Sequence, residues 1–291
     1  MHPNRQSKCS ARVICKSLLI HFQHYSLAQK GSYRAKFMAS TTADETPKTN
    51  NRPFVKISPT TLSIFEEGKL LLIDKTAHWS SFDVVKSVRS YLKVKRVGHA
   101  GTLDPLATGL LIVCTGKFTK KINDFMAQSK EYTGTFTLGA TTPTYDLESL
   151  PENQMDISHL SRAEIHKATS FFIGEIDQVP PMYSAIKKKG TPLYTLARRG
   201  EDIDLQPRKI NIASFEITDI QLPLVFFKIT CSTGTYIRSL AHDFGQQLGC
   251  GAFLSSLRRT AIGDFKVEDA FQMDNFLDMI VEMQSNEEPM P

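Results

Sequence analysis

What the chain lacks narrows it first. No stretch is apolar for the roughly 20 residues that a membrane-crossing helix requires, so none reads as a span. Cysteine is sparse: Cys9, Cys15, Cys114, Cys231 and Cys250 form neither a C-x-x-C pair nor a Cys/His spacing suited to a metal. An odd, scattered set fits reduced thiols and points to no structural zinc. The first 43 residues hold no acid, although Arg5, Lys8, Arg12, Lys16, Lys30, Arg34 and Lys36 lie there. Such a segment suits a transit peptide, a basic arm on RNA phosphates, or translation beginning at Met38. The run Val13 to Phe22 is short and broken by Lys16, which makes a poor secretory signal. Ser40 to Pro59, rich in Thr, Ser, Asn and Pro, reads as linker. Residues 1–60 are therefore expected to be a basic extension and linker, in a protein of the cytoplasm, with organellar targeting left open.

What is present describes a globular protein. In 291 residues, 41% are hydrophobic and 22% charged, ordinary values for a chain with a sizeable core. A formal net charge of +5 fits a polyanionic partner such as RNA. Short basic runs at Lys187–Lys188–Lys189, Arg198–Arg199 and Arg208–Lys209 crowd one region and add to that expectation.

The most informative stretch is Val97-Gly98-His99-Ala100-Gly101-Thr102-Leu103-Asp104-Pro105-Leu106-Ala107-Thr108-Gly109, followed by Leu110 to Val113. Its glycines and proline shape a loop, and the closing apolar run reads as a buried strand. Asp104 is a single carboxylate flanked by Leu103 and Leu106, costly to keep ionised unless a cation or several donors meet it. A modest alternative is that Asp104 and Pro105 only start a short helix. Downstream, Phe227 to Cys231 alternates as a strand, Gly234 breaks it, and Ile237, Leu240, Ala241, Phe244 and Leu248 stripe a helix. Arg238 then falls in the first turn, where the helix dipole disfavours a cation by up to about 1 kcal/mol. An anionic partner would explain it, and Asp104 is the unpaired candidate; a local pair or solvent is the alternative.

The remaining chain reads coarsely. Lys69–Asp74 is expected as a strand and Phe82–Leu92 as a helix with Phe82, Val85, Val88 and Leu92 inward, capped by Ser80 or Ser81. Helices are expected over Lys117–Met126 and Leu160–Phe172. From Lys130 a strand sets Tyr132, Gly134, Phe136 and Leu138 on one face. In Leu257-Arg258-Arg259 the arginines read as a strand end reaching solvent. Alternating strands with few βαβ units give an α+β protein with a mixed, largely antiparallel sheet and flanking helices.

The Gly98-to-Gly109 string resembles the catalytic motif of the TruB family, the tRNA pseudouridine-55 synthases, whose aspartate is the nucleophile. Pro180 to Lys187 (P-P-M-Y-S-A-I-K), G-T-Y-I-R ending at Arg238 and the segment around Leu257 resemble further TruB patterns, and the likeness runs from about 60 to about 270. The resemblance implies the pseudouridine synthase fold with a central RNA-binding cleft, a catalytic domain over 61–275, and a short tail over 276–291 without the PUA-type domain of many relatives. It implies Asp104, Tyr132 and Arg238 as catalytic residues. Arg238 would hold Asp104 charged, and Tyr132 would stack on the base and accept a proton. His99, Tyr236, Leu257, Lys75 and Asp146 would meet the substrate, with His99 filling the space an everted base leaves. Where the family has K-P-x-G-x-T-S, this chain has Lys75-Thr76-Ala77-His78-Trp79-Ser80-Ser81, without the proline and glycine. Pro143 stands where an acid is common, and Thr233 where a lysine is. The implied reaction needs no cofactor or metal. The implied partner is the tRNA T-stem-loop, and the enzyme is expected to be a monomer without an obligatory protein partner. A non-catalytic RNA-binding or tRNA-folding protein using the same cleft is the alternative; a glycosidase would want a second carboxylate, which is not evident beside Asp104.

Overall fold

The computed structural model describes residues 57–184, 186–188, 190–200 and 203–285; the basic N-terminal segment lies outside them, as do the side chains of the lysine triplet and of Arg198. In chain order the elements are α1 (Pro59–Glu67), β1 (Leu70–Lys75), α2 (Ser81–Leu92), β2 (Val97–His99), β3 (Thr108–Thr115), α3 (Ile122–Ala127) and β4 (Lys130–Leu138). There follow α4 (Arg162–Ala168), β5 (Gly174–Gln178), β6 (Lys187–Lys188), β7 (Thr191–Pro192), α5 (Leu193–Arg198), β8 (Arg208–Gln221) and β9 (Leu224–Cys231). The chain closes with α6 (Ile237–Gln247), β10 (Ala252–Ile262), β11 (Phe265–Lys266), β12 (Phe271–Gln272) and α7 (Phe276–Ser285).

Among the described residues one sheet runs β12-β1-β3-β10-β4-β9-β8-β5, with β2 added to β3 and β11 to β10. Only β1 with β12 and β3 with β10 are parallel, so the expected mixed, largely antiparallel α+β architecture is what forms. The parallel seam is short, pairing Arg258 with Thr108 and Arg259 with Gly109. It joins the two halves of the sheet at the end of the Asp104 loop. Gly109 adopts φ 101°, and a Cβ there would sit 2.3 Å from the Arg259 carbonyl oxygen, so only glycine allows the approach.

Two apolar clusters hold the halves. Val84, Val85, Val88 and Leu92 of α2 pack with Phe65 of α1, Leu71 and Ile73 of β1, and Phe276 and Ile280 of α7. On the other side, Phe244, Leu240 and Ala241 of α6 pack with Phe136, Phe215 and Phe227 of the sheet. The Phe136 ring lies 4.3 Å from Phe227 and 5.6 Å from Phe244, centroid to centroid. Gly245 lets α6 press onto β10, where a Cβ would come 2.1 Å from the Ala252 nitrogen. The N-terminus of α6 is thereby fixed against the central strands.

Several local expectations are corrected. The segment read as linker and extension through residue 60 already contains the start of α1, which Ser58 caps through its hydroxyl. Phe82 is not inward: it is 60% exposed, and Ser81 and Val84 take the buried positions instead. Ser80 is the cap, in a reciprocal box with Asp83. The helices expected over 117–126 and 160–172 each divide into an α-helix and a 3₁₀ turn, over Gly116–Lys121 and Thr169–Phe172. Residues 276–285, read as tail, form α7, whose Phe276 and Ile280 are fully buried.

Candidate active site

The loop before β3 is pinned from below. Ser81, at the start of α2, donates its hydroxyl to the Leu103 carbonyl at 3.2 Å and accepts the Leu103 N–H at 2.9 Å. The His78 N–H donates to the Pro105 carbonyl at 2.8 Å. Lys75 is fully buried, and its ammonium donates to the carbonyls of Thr76, Trp79 and Pro105 at 2.9, 2.7 and 3.2 Å. Burial lowers its pKa to about 8, opposed chiefly by the charge of Asp104. All three donors are used, so Lys75 cannot meet a substrate as the sequence reading expected. It fastens the turn to the loop that presents Asp104. His78, which stands where the resembled pattern has glycine, lies in the left-handed region at φ 66°.

Arg238 arrives at Asp104 from the first turn of α6. Its Nε lies 2.9 Å from Asp104 Oδ2, and its terminal NH2 donates to Oδ1 at 3.3 Å. The Nε contact is an ion pair whose N–H is not aimed at an acceptor, so attraction rather than a straight hydrogen bond carries it. The remaining donors reach the carbonyls of Thr144 at 3.3 Å and Tyr183 at 2.9 Å. The Arg238 side chain is 5% exposed while that of Asp104 is 35% exposed, so the pair is a buried cation holding an open carboxylate.

The second carboxylate is Asp146, which the sequence reading placed on the substrate. It is buried, accepts the Thr144 hydroxyl at 2.6 Å and the Glu148 N–H at 2.9 Å, and lies 3.6 Å from Arg238 Nε. Burial raises its pKa, and Thr144 and Arg238 oppose this. Asp146 is therefore a brace for Arg238, closed off from solvent.

The aromatic residues converge on the same carboxylate. Tyr132 on β4 is buried, which raises its pKa; Arg259 beside it acts in the opposite direction, and Asp104 is near enough to add to the rise. Tyr236 immediately precedes α6, where Gln178 holds its backbone from both sides, accepting its N–H at 2.8 Å and donating to its carbonyl at 3.0 Å. Burial raises the Tyr236 pKa, with Asp104 and Arg238 both within electrostatic reach. Leu257 packs half-buried against the cluster that contains Leu103 and Tyr132. His99 ends β2; burial lowers its pKa, and its Nδ1 is buried without a partner. Asp104 and Arg238 meet directly, and Tyr132 and Tyr236 stand within electrostatic reach of Asp104.

Sequence reasoning missed Arg259. It is not a strand end reaching solvent: it is 1% exposed, donating from Nε to the Leu110 carbonyl at 2.7 Å and from NH2 to that of Gly101 at 3.1 Å. The strand period held the signal, since Leu257 and Arg259 are two apart and share a face. Arg258, on the other face, forms a two-pronged pair with Asp74 at 2.9 and 2.7 Å.

Known proteins resemble most of this chain. A family model described as TruB family pseudouridylate synthase (N terminal domain) matches residues 89–237, and one described as tRNA pseudouridylate synthase B C-terminal domain matches 238–290. The tRNA pseudouridine synthase B of Flavobacterium johnsoniae is 52% identical over 217 residues, covering 72% of this chain and 95% of that relative. That of Chloroherpeton thalassium is 47% identical over 220 residues, covering 74% and 91%. Among solved structures, the crystal structure of a Cbf5-Nop10-Gar1 complex superposes with a TM-score of 0.61 at 26% identity, over 82% of this chain and 63% of that one. On the family models and on relatives aligned over nine-tenths of their length, the chain belongs to the TruB family of pseudouridylate synthases.

Proposed function

We propose that the protein isomerises uridine-55 in the T-loop of tRNA to pseudouridine, with Asp104 as nucleophile. The observation that carries the reading is the open Asp104 carboxylate clamped by the buried Arg238. The curated relatives are named as tRNA pseudouridine synthases, which supports tRNA as the substrate. The target uridine leaves its stack at a cost of a few kcal/mol, offset by stacking on aromatic side chains and by phosphate contacts. Asp104 attacks the sugar or the base, the N1–C1′ bond breaks and the uracil turns, and C5 rejoins C1′ as the bond to Asp104 breaks and frees the carboxylate. Tyr132 and Tyr236 face the base and Leu257 walls it, while His99 borders the space it vacates.

The overall reaction moves one proton from C5 to N1. Tyr132 balances it by giving its hydroxyl proton to N1 and taking the one released at C5. We assign this chemistry to the sheet-built body through α7, and the basic residues 1–56 to a role outside catalysis. Among the described residues no helix is long and apolar enough to cross a membrane.

The test is incubation with a tRNA transcript, followed by mapping of pseudouridine by chemical adduct and primer extension. A single stop at the T-loop uridine is expected. Tight tRNA binding with no isomer formed would favour an RNA-folding protein instead.

A further inference from the structure

Burying a guanidinium without a counter-charge costs several kcal/mol unless its donors are met and its charge is used. Arg259 is in that position. Among the described residues no carboxylate lies within ion-pair distance of it; it donates to the carbonyls of Leu110 and Gly101, and it stands close enough to the Tyr132 hydroxyl to lower that group's pKa. Two further buried cations, Lys75 and Lys130, stand near enough for Arg259 to disfavour their charged forms, as it also does for His99. Packing alone would be served better by an apolar side chain at such a place. The strand register explains what it faces: Arg259 of β10 pairs directly with Tyr132 of β4, and directly opposed residues project to the same face.

We propose that Arg259 is a positioning residue that stabilises the Tyr132 phenolate formed between two proton transfers of the isomerisation. The inference rests on the reading of Tyr132 as the proton relay. When the hydroxyl has passed its proton to N1 and has not yet taken the one from C5, the oxygen carries a full negative charge. The charged and titratable groups within electrostatic reach of it are the Arg259 guanidinium from β10, the Asp104 carboxylate from the loop, and the Cys231 thiol from β9. The thiol is held protonated by burial, with its pKa pushed up to about 11, and Asp104 is repulsive. Arg259 is then the group that makes the intermediate charge tolerable. When the C5 proton arrives, the phenol is restored and no proton has been gained or lost.

The experiment compares wild type, Arg259→Gln, Arg259→Lys, Tyr132→Phe and the Arg259→Gln/Tyr132→Phe double variant in single-turnover isomerisation from pH 6 to pH 10. Arg259→Gln is expected to slow the reaction by roughly 10²-fold at pH 7.5. The deficit should persist across this range, in which the buried phenol keeps its proton, with tRNA affinity retained. Arg259→Lys should restore most of the rate, and the double variant should be no slower than Tyr132→Phe. Losses that multiply in the double variant, or a rate that Arg259→Lys leaves as low as Arg259→Gln, would overturn the proposal. A second readout needs no turnover: the absorbance step at 295 nm that Tyr132→Phe removes should move to higher pH in Arg259→Gln, and an unmoved step also overturns it. Absence of pseudouridine with wild type would instead reject the isomerase reading, with the optical titration still deciding whether Arg259 acts on Tyr132.

Discussion

At Arg238 one guanidinium serves two carboxylates and two carbonyls, and only Asp104 among these partners is open to a substrate. A lysine carries the same charge but has no planar fork to span Asp104 while reaching Thr144 and Tyr183. Arg238→Lys is therefore expected to lower the isomerisation rate by roughly 10²-fold, about 3 kcal/mol, while tRNA affinity measured by filter binding stays near wild type. Equal losses in rate and affinity would make Arg238 a phosphate contact. The meeting of Asp104 and Arg238 was legible in the sequence, since an arginine in a first helical turn asks for an anion. The roles of Lys75 and Asp146 were not. Their residue types suit substrate contact, and only burial, invisible in one sequence, turns them inward to hold the loop and Arg238.

At the scale of elements, the turn between β1 and α2 is the joint on which the Asp104 loop rests. Ser81 and the His78 backbone grip the loop on both sides of Asp104. Histidine in the left-handed region costs about 1 kcal/mol that glycine avoids, part of which a glycine returns through a freer unfolded chain. His78→Gly should raise stability by about 0.5 kcal/mol and the melting temperature by about 1 °C in calorimetry. A clear fall would show that the imidazole makes a stabilising contact of its own. The strand of Tyr132 and the helix of Arg238 were both readable from period and glycine breaks. The seam of β3 with β10 was not, because a parallel pairing of residues some 150 apart leaves no local trace.

For the whole molecule, the sheet half that carries β1 and β3 is closed by α1 and α7 from the two ends of the folded body. The apolar pattern of α7, six apolar residues in ten, is present in the sequence, and reading 276–291 as tail passes over it. Phe276→Ala should cost about 3–5 kcal/mol in chemical denaturation, a loss a solvated tail would not show. Stability should also follow the protonation of Asp243, whose burial in α6 raises its pKa to about 6. Its folded value lies above its unfolded one, so the native state holds the proton more tightly, and stability falls as pH rises from about 4 to about 6. Asp243→Asn is expected to raise the melting temperature at pH 7.5 and to leave it unchanged at pH 4; a gain equal at both would assign the effect to packing.

The whole arrangement presents one carboxylate, and removing its charge tests the account most directly. Asp104→Asn, nearly isosteric, should bind tRNA transcript with wild-type affinity and yield no pseudouridine in single turnover with enzyme in excess. Pseudouridine formed at a rate near wild type would contradict the assignment of Asp104 as the nucleophile.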